Sequence, residues 1–179
     1  GDLWVSYSVN KEDMWISRIP VPVEINASAH ADDDFSKNKS IAELTDWNIY
    51  SPVWAPVSLE GEWLKLQDKD PFDYAKERKI PASKELKVSF DLKAGQNNKG
   101  TLHIEFLDEN GIACSRIELT DDGIFRLKGG SRFANMMKYE AGKIYHVEAV
   151  LSTVDRNIQV YVDGKRVGLR MFYAPVAAV

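Results

Sequence analysis

The chain has 179 residues, a hydrophobic content of 44% and five tryptophans, which is enough for one medium-sized domain with an apolar core. Its net charge of −4 argues against nucleic acid or an anionic membrane as the main partner, because both favour a basic surface. No apolar run approaches the roughly 18 residues that a membrane-spanning helix requires, so no membrane span is predicted. The single cysteine, Cys114, excludes an internal disulfide and a cysteine-based zinc cluster.

The first 23 residues predict a β-hairpin. Leu3–Ser8 and Met14–Ile19 read as strands with a polar turn between them. Pro20 and Pro22 then end the pairing, because proline lacks the backbone donor that a ladder needs. Two strands alone are marginally stable in water, so we expect the hairpin to pack on a neighbouring body.

The sequence DLWVSYSVNKEDMWISRIPVPV resembles the terminal strands of sialidase-like β-propellers in secreted bacterial glycan-degrading proteins, where a β-sandwich often follows the propeller. The resemblance implies that residues 1–23 are the tail of an upstream β-propeller in the same polypeptide and that residues 24–179 form the sandwich. It also implies a secreted, periplasmic or cell-surface bacterial protein, of which this chain is an excised piece. The sialidase Asp-box, Ser-x-Asp-x-Gly-x-x-Trp, does not occur in the sequence.

Residues 24–46 read as a linker-like stretch with an acidic cluster, Asp32–Asp34, and a short helix between Ser40 and Asp46. An aromatic segment and a strand over Glu62–Asp68 follow. The segments WNIYSPVWAPV and LKLQDKDPFDYAKERKIP resemble the region that joins propeller to sandwich in the same proteins.

From residue 85 onward, apolar and polar residues alternate regularly. Turns rich in Asp, Asn and Gly separate strands at a spacing of roughly 8–12 residues, which favours a sandwich or barrel over βαβ units. The predicted fold is therefore all-β, a two-sheet antiparallel β-sandwich. The predicted inward-facing residues are Leu86, Val88, Phe90, Leu92, Leu102, Ile104, Phe106, Ile117, Leu119, Phe125 and Leu127.

Two further alternating strands, Tyr145–Leu151 and Ile158–Val162, are followed by a tight turn at Asp163-Gly164. The sequence YVDG and the strands around it resemble the closing hairpin of the concanavalin A-like and laminin-G-like β-sandwich superfamily. That resemblance implies a jelly roll and a role in glycan biology. It also leads us to expect a further strand within residues 169–179.

A set of polar side chains points away from the predicted core. If these side chains share one face of one sheet, they would bind sugar hydroxyls through charge-assisted hydrogen bonds. The alternative is cross-strand charge pairing on a solvated face, worth roughly 0.2–1 kcal/mol per pair. The candidate glycan-binding residues of this set are His103, Glu105, Arg116, Glu118 and His146, and their neighbours are Ser89, Asp91, Arg126 and Glu148.

Aromatic residues form a second group of glycan-binding candidates, namely Trp47, Tyr50 and Trp54. The apolar face of a sugar ring stacks on such side chains while its edges need polar partners. The alternative is that they are packing residues, because tryptophan and tyrosine are mostly buried on average.

No catalytic residue is predicted. Retaining glycosidases need two carboxyl groups about 5–5.5 Å apart, and the paired-glutamate signature of laminarinase-type enzymes is missing, with Glu105 and Glu118 each alone on a strand. The predicted function is a non-catalytic accessory β-sandwich of a secreted carbohydrate-active protein, binding glycan or bracing a neighbouring catalytic domain of sialidase-like type. The alternative is a jelly-roll glycoside hydrolase or polysaccharide lyase that uses Glu105, Glu118 or His103.

No cofactor or metal site is predicted from spacing. Zinc needs three or four ligands, and His103 and His146 would contribute only if their strands adjoin. By the superfamily resemblance, a structural Ca²⁺ would take its oxygen ligands from Asp108–Asn110 or Asp32–Asp34. Acidic residues in turns are more often turn formers than ligands.

Overall fold

A computed structural model of the chain describes residues 2–9, 13–20, 30–49, 56–67, 76–172 and 174–179. Antiparallel strands dominate these residues, and the described helices are two short 3-10 helices, Phe35–Lys37 and Ile41–Glu43. The all-β prediction is confirmed. Within the same residues, no helix is long and apolar enough to cross a membrane.

The N-terminal hairpin is present as predicted, with strand β1 (Asp2–Val9) antiparallel to β2 (Asp13–Pro20). Its large apolar side chains face solvent: Trp4 is 63% exposed, Met14 74% and Ile16 70%. A two-stranded sheet with this much exposed apolar surface is close to the limit of stability by itself. Its assignment to an upstream propeller stays a prediction.

The other described strands form three sheets. In chain order these strands are β3 (Trp47–Ile49), β4 (Val57–Glu60), β5 (Trp63–Leu66), β6 (Lys76–Ser83), β7 (Glu85–Lys93), β8 (Leu102–Leu107), β9 (Ala113–Leu119), β10 (Ile124–Gly129), β11 (Arg132–Lys138), β12 (Ile144–Ser152), β13 (Asn157–Val162), β14 (Lys165–Met171) and β15 (Val176–Ala178). The seven-stranded sheet has the order β11-β10-β9-β8-β15-β6-β3, the four-stranded sheet has the order β14-β13-β12-β7, and β4 pairs with β5. The expected strand near the C-terminal end is β15, which lies between β8 and β6.

The two larger sheets contribute to one apolar core, as the alternation predicted. Phe125 from the seven-stranded sheet lies edge-on to Tyr139 and Tyr145, with ring centroids 5.4 and 5.7 Å away. The buried core residues of the two sheets are Phe106, Ile117, Leu119, Phe125, Leu127, Tyr145, Val147, Ala149, Leu151, Ile158, Val160, Val162 and Val176. The jelly-roll connectivity and the division at residue 23 stay predictions.

The predicted Asp-Gly turn joins β13 to β14. Asp163 and Gly164 have φ angles of 50° and 77°, the left-handed pair that a two-residue hairpin of type I′ requires. The Asp163 carboxylate accepts a hydrogen bond from the backbone N–H of His146 at 3.0 Å, which ties the turn to β12. The turn is therefore a structural feature of the four-stranded sheet.

Residues 30–46, expected to be linker-like, instead pack on one edge of the seven-stranded sheet. Arg78 of β6 forms ion pairs with Asp33 at 3.0 Å and Asp46 at 3.3 Å, and its own side chain is only 9% exposed. The second 3-10 helix, Ile41–Glu43, lies within the predicted short helix. Arg78, the partner of these aspartates, is far away in sequence, so composition alone did not indicate this packing. The prediction of a linker was therefore wrong.

Candidate functional site

A cleft with a volume of about 250 Å³ lies between the 3-10 helices and the start of β3. That volume is slightly below the usual range for drug-sized ligands, so it suits a compact ligand such as a single sugar ring. The lining residues that matter for binding are Asp32, Asp34, Phe35, Asn38, Asp46 and Trp47. We call this region the Trp47 cleft.

The partly exposed Trp47 is held in place from behind. Its indole Nε1 donates to Asp33 Oδ2 at 3.1 Å, and the same oxygen accepts from Arg78 Nε at 3.0 Å. The Phe35 ring lies against the indole at 5.9 Å between centroids, tilted by 58°. Because the planar guanidinium of Arg78 is buried in the sheet and also pairs with Asp46, it fixes both carboxylates. The aromatic wall of the cleft is therefore preorganised.

The rim of the cleft is acidic. Asp34 caps the first 3-10 helix and pairs with Lys37 at 3.0 Å. Hydrogen bonds from Ser36 and then Lys37 hold the pKa of the Asp34 carboxyl below its usual value. Glu43 accepts the backbone N–H of Lys39 at 2.9 Å. Carboxylates outnumber cations among the lining residues, so the cleft offers mainly hydrogen-bond acceptors and a negative potential.

A second region is the outer face of the seven-stranded sheet, where β8, β9, β10 and β11 lie side by side. Alternation directs every second side chain to this face, and the antiparallel register places these side chains in two cross-strand rows. One row is His103, Glu118, Arg126 and Asn135, and the other is Glu105, Arg116, Lys128 and Phe133. We call these eight residues the platform.

The β8–β9 half of the platform brings four of the predicted candidates together, and they bind one another. Arg116 Nε donates to Glu105 Oε1 at 2.7 Å, a second Arg116 nitrogen contacts the same oxygen, and Nη1 lies 3.2 Å from Glu118. His103 Nε2 lies 3.5 Å from Glu118. Burial opposes the charge of Arg116, but the hydrogen bonds to both carboxylates outweigh it and raise its pKa. This half matches the cross-strand pairing alternative.

The β10–β11 half presents an aromatic ring and cationic groups that a ligand can contact. Phe133 is 46% exposed, and Lys128 Nζ lies 5.5 Å from its ring centroid. Arg126 donates to Asn135 Oδ1 at 3.1 Å and lies 3.3 Å from Asp122, whose side chain is 54% exposed. Sequence reasoning missed Phe133 and Lys128, although the alternation of Arg132–Lys138 is the signal that would have placed Phe133 outward.

His146 lies on the other sheet, so the expectation that it shares a polar face with His103 was wrong. It belongs to β12, where its Nδ1 lies 2.7 Å from Asp91 Oδ1 and its Nε2 lies 3.1 Å from Ser89 Oγ. The order of contacts is that of a Ser-His-Asp triad, but the side chains of His146 and Asp91 are 54% and 58% exposed, whereas the triad carboxylate is buried. The contacts are those of a solvated sheet, and the condition for a shared zinc site fails.

Of the three aromatic candidates, Trp47 lies in the cleft, whereas Tyr50 and Trp54 lie outside the described residues. The possible calcium loops are both engaged by the protein. Asp108 Oδ1 accepts the backbone N–H groups of Asn110 at 2.8 Å and Ile112 at 2.9 Å, which makes it a turn former. Among the residues that the structure describes, no group of three or more His, Cys, Asp or Glu side chains is arranged for a metal ion. A structural calcium stays a prediction.

A larger groove, of about 530 Å³, lies between β11 and the β13–β14 turn. It is lined by Met136, Met137, Val162 and Val167, with Lys165 and Arg166 at its rim. None of its lining residues is aromatic, and its floor is made of flexible or aliphatic side chains. The groove therefore fits a sugar ring less well than the Trp47 cleft.

Comparison with known proteins places these features in a family. Residues 47–179 match the family described as Sialidase-like, CBM domain. A solved structure titled "Sialidase" is 86% identical with a TM-score of 0.87, and the match covers 99% of this chain and 17% of that one. A heptameric SAP-like pentraxin from Limulus polyphemus is 22% identical with a TM-score of 0.43, over 56% of this chain and 52% of the pentraxin. Among curated proteins, none matches this chain.

The predicted link to sialidases is confirmed, whereas the concanavalin A-like assignment stays a prediction. The present chain spans 17% of the sialidase that it matches, which is consistent with one domain of a larger protein. Domains of the CBM type are usually non-catalytic accessory domains. Since the family match extends over well more than half of the sequence, the chain belongs to the Sialidase-like, CBM domain family.

Proposed function

We propose that this chain is a non-catalytic accessory domain of a larger sialidase-like protein and that it binds a neutral sugar ring in the Trp47 cleft. Family membership supports carbohydrate binding in general. The observation that carries the choice of site is the partly exposed Trp47, fixed by Asp33 and the buried Arg78 beside a ring of acceptor groups.

In this proposal the apolar face of the sugar stacks on the indole of Trp47 while its hydroxyl groups donate to carboxylates such as Asp32 and Asp46. Hydrogen bonds to charged acceptors contribute about 1.5–3 kcal/mol each before the cost of ordering the ligand. Because Trp47 is already oriented, little protein entropy is lost on binding. The cleft is small and open to solvent, so we expect a dissociation constant of about 0.1–1 mM.

A catalytic role is less well supported. A retaining glycosidase needs one carboxylic acid that donates a proton and one carboxylate that attacks. Glu105 and Glu118 both contact the same guanidinium, that of Arg116, on the outer face of the sheet. Neither carboxylate lines the Trp47 cleft or the larger groove, so the hydrolase alternative has no enclosing site at these two residues.

The test is a titration of the full chain with neutral mono- and disaccharides, chosen from a glycan array and measured by calorimetry. We expect Trp47→Ala to weaken binding by at least roughly tenfold, because stacking provides the main apolar contact. Tyr161→Ala, a change of a partly exposed aromatic on the four-stranded sheet, is the matched control and should leave binding unchanged. Full binding by the Trp47 variant would refute this site.

A bracing role is the second candidate, favoured by the exposed Trp4, Met14 and Ile16 of the hairpin. In that case the hairpin packs on a neighbouring domain, such as an upstream β-propeller in the same secreted or cell-surface polypeptide. An apolar surface of this kind marks a contact with another protein body. If no saccharide binds the wild-type chain, bracing is the function that remains.

A further inference from the structure

We infer that the β10–β11 half of the platform is a second binding site, and that it takes an anionic saccharide carrying carboxylate or sulfate groups. The site is centred on Phe133, Lys128 and Arg126. It shares no residue with the Trp47 cleft and does not depend on that cleft for its argument. Its ligand class differs as well, because the cleft is acidic and this half of the platform is basic.

The charge on the platform is unevenly distributed. Arg116 offsets only one of the two carboxylates, Glu105 and Glu118, that it contacts, so the β8–β9 half keeps one uncompensated negative charge and the free cations lie in the β10–β11 half. Lys128 lies directly opposite Arg116 in the register, and two cations facing each other across strands are unfavourable. Among the described residues, Lys128 forms no ion pair with a carboxylate, so a bound anion would provide the missing partner. The positive potential is local, since the chain as a whole carries a charge of −4.

Phe133 supplies the apolar surface that distinguishes a sugar site from a simple anion site. Its ring is nearly half exposed on an otherwise polar sheet face, where Lys128 Nζ is 5.5 Å from the centroid. A sugar ring that covers Phe133 removes apolar surface from water. The same ligand places a ring carboxylate or sulfate next to the Lys128 ammonium group. Phe133 and Lys128 can therefore contact both the apolar ring face and the acidic group of such a sugar.

Arg126 provides a second cation at a fixed position. It lies two residues from Lys128 on β10, which puts the two Cα atoms about 7 Å apart on one face. Its ion-pair partner Asp122 is more than half exposed and 3.3 Å away, a weak contact that a ligand carboxylate can replace in bidentate geometry. Asn135 Oδ1 accepts a hydrogen bond from Arg126 Nε at 3.1 Å, which restricts the position of the guanidinium.

The position of β11 allows a ligand longer than one ring. Among the described strands, β11 is the last of the seven-stranded sheet, so the Phe133 side of the platform lies at an edge of that sheet. An oligosaccharide can therefore extend past the edge while one of its rings stacks on Phe133. The other edge of the same sheet carries the Trp47 cleft on β3, which separates the two sites by the width of the sheet.

The experiment uses a matched pair of ligands, trigalacturonic acid and its fully methyl-esterified form, titrated into the full chain. The ester keeps the rings and removes the charge. We expect the acid to bind at least roughly tenfold more tightly than the ester. Phe133→Ala and Lys128→Gln should each weaken binding of the acid by a similar factor. Lys93→Gln is the control, because it removes the same charge from an exposed position on β7 of the other sheet.

A sulfated galactose trisaccharide forms the second arm, which tells a carboxylate ligand from a sulfate ligand. Binding of either probe that depends on Phe133 supports the site. Equal losses in Lys93→Gln and Lys128→Gln would identify general attraction of polyanions and overturn it, as would equal binding of acid and ester. Thermal unfolding of each variant checks that the fold is intact. Trp47→Ala should leave these affinities unchanged, so failure of the cleft and failure of the platform are distinguishable.

Discussion

The Trp47 cleft and the platform are built from similar residue types in opposite ways. The cleft joins groups that are distant in sequence, as in the hydrogen bond between Asp33 and Arg78, 45 residues apart. The platform joins neighbouring strands through simple alternation and register. The cleft concentrates carboxylates around the Trp47 ring, whereas the platform places cations beside the Phe133 ring. The comparison shows that the local charge of each region is set by which residues are brought together rather than by overall composition.

The two regions also differ in how their geometry is supported. In the cleft, a single buried cation, Arg78, holds both Asp33 and Asp46 and positions Trp47 indirectly. On the platform, each side chain is placed by a backbone ladder, so the loss of one contact leaves the rows in place. The cleft should therefore be far more sensitive to a single substitution than the platform.

The largest effect is expected for Arg78→Ala. It leaves Asp33 and Asp46 facing each other without a cation, and we expect the free energy of unfolding to fall by about 2–4 kcal/mol in urea titrations. A fully buried pair would lose about 3–5 kcal/mol, but these carboxylates are partly exposed. Neutral-sugar binding should be lost as well, while binding of the anionic probe to the platform is retained.

Arg78→Lys is the control for charge. Lysine keeps the positive charge but cannot form the planar fork that contacts both carboxylates. Its stability should lie between those of the wild type and Arg78→Ala. A loss below about 0.5 kcal/mol in Arg78→Ala, the range of ordinary surface substitutions, would show that the cleft is not organised by this cation.

A smaller effect is expected where the two large sheets approach each other under the platform. A Cβ atom at Gly129 would lie 2.5 Å from Arg170 Cβ and 2.9 Å from the Met171 carbonyl oxygen of β14. Since neither atom can move without displacing the strand, Gly129→Ala should cost about 1–3 kcal/mol. Because Gly129 follows Lys128 on β10, anion binding should weaken as well, with the cleft unaffected.

Gly168→Ala is the matched comparison on the facing strand. Its Cβ would meet Met136 Sδ at 2.5 Å and Leu127 Cδ2 at 3.0 Å. The methionine side chain is flexible and can change rotamer, so a cost of about 0.5–1 kcal/mol is expected. Thermal unfolding of the two variants measures the difference. A larger loss at Gly168 would contradict the view that the approach of Gly129 to the backbone of β14 limits the distance between the sheets.

Much of the fold could be predicted from the sequence because strand alternation is a local signal. The apolar positions from Leu86 to Val162 were assigned to the correct side of their strands, and the N-terminal hairpin was placed within one residue at each end. What alternation lacks is the identity of the neighbouring strand. β12 pairs with β7, and β15 enters between β8 and β6, so His146 and His103 are on different sheets.

The candidate sites were predictable to different degrees for the same reason. Five platform residues were placed on the outward face because they follow the alternation on three adjacent strands. The contact between Arg78 and Asp33 depends on a segment that returns to the sheet edge, and no local pattern encodes it. Phe133 was missed although its strand alternates, because an exposed aromatic is recognised only when its cationic neighbour across the ladder is known.

The smallest effect tests how far Asp122 competes with a ligand for Arg126. Asp122 is the carboxylate nearest to the basic half of the platform, with Arg126 at 3.3 Å. Asp122→Asn removes the competing charge, so we expect the affinity for trigalacturonic acid to rise by roughly two- to threefold, as for the loss of an exposed ion pair. Asp155→Asn, in the turn between β12 and β13 of the other sheet, is the matched control. Unchanged affinity in Asp122→Asn would show that Arg126 is not part of the ligand contact.

Acidification should produce the same change in the wild-type protein. The hydrogen bond from the Thr120 hydroxyl, followed by the charge of Arg126, holds the pKa of Asp122 below its usual value. Asp122 therefore stays ionised until the pH falls through that lowered pKa. The stability that its ion pair contributes is fully present above the ordinary aspartate pKa and is lost as the pH falls through the lowered one. The sulfated probe remains charged at low pH, so its affinity should rise as Asp122 protonates and releases Arg126. Asp122→Asn should reduce this rise, because its side chain has no proton to gain.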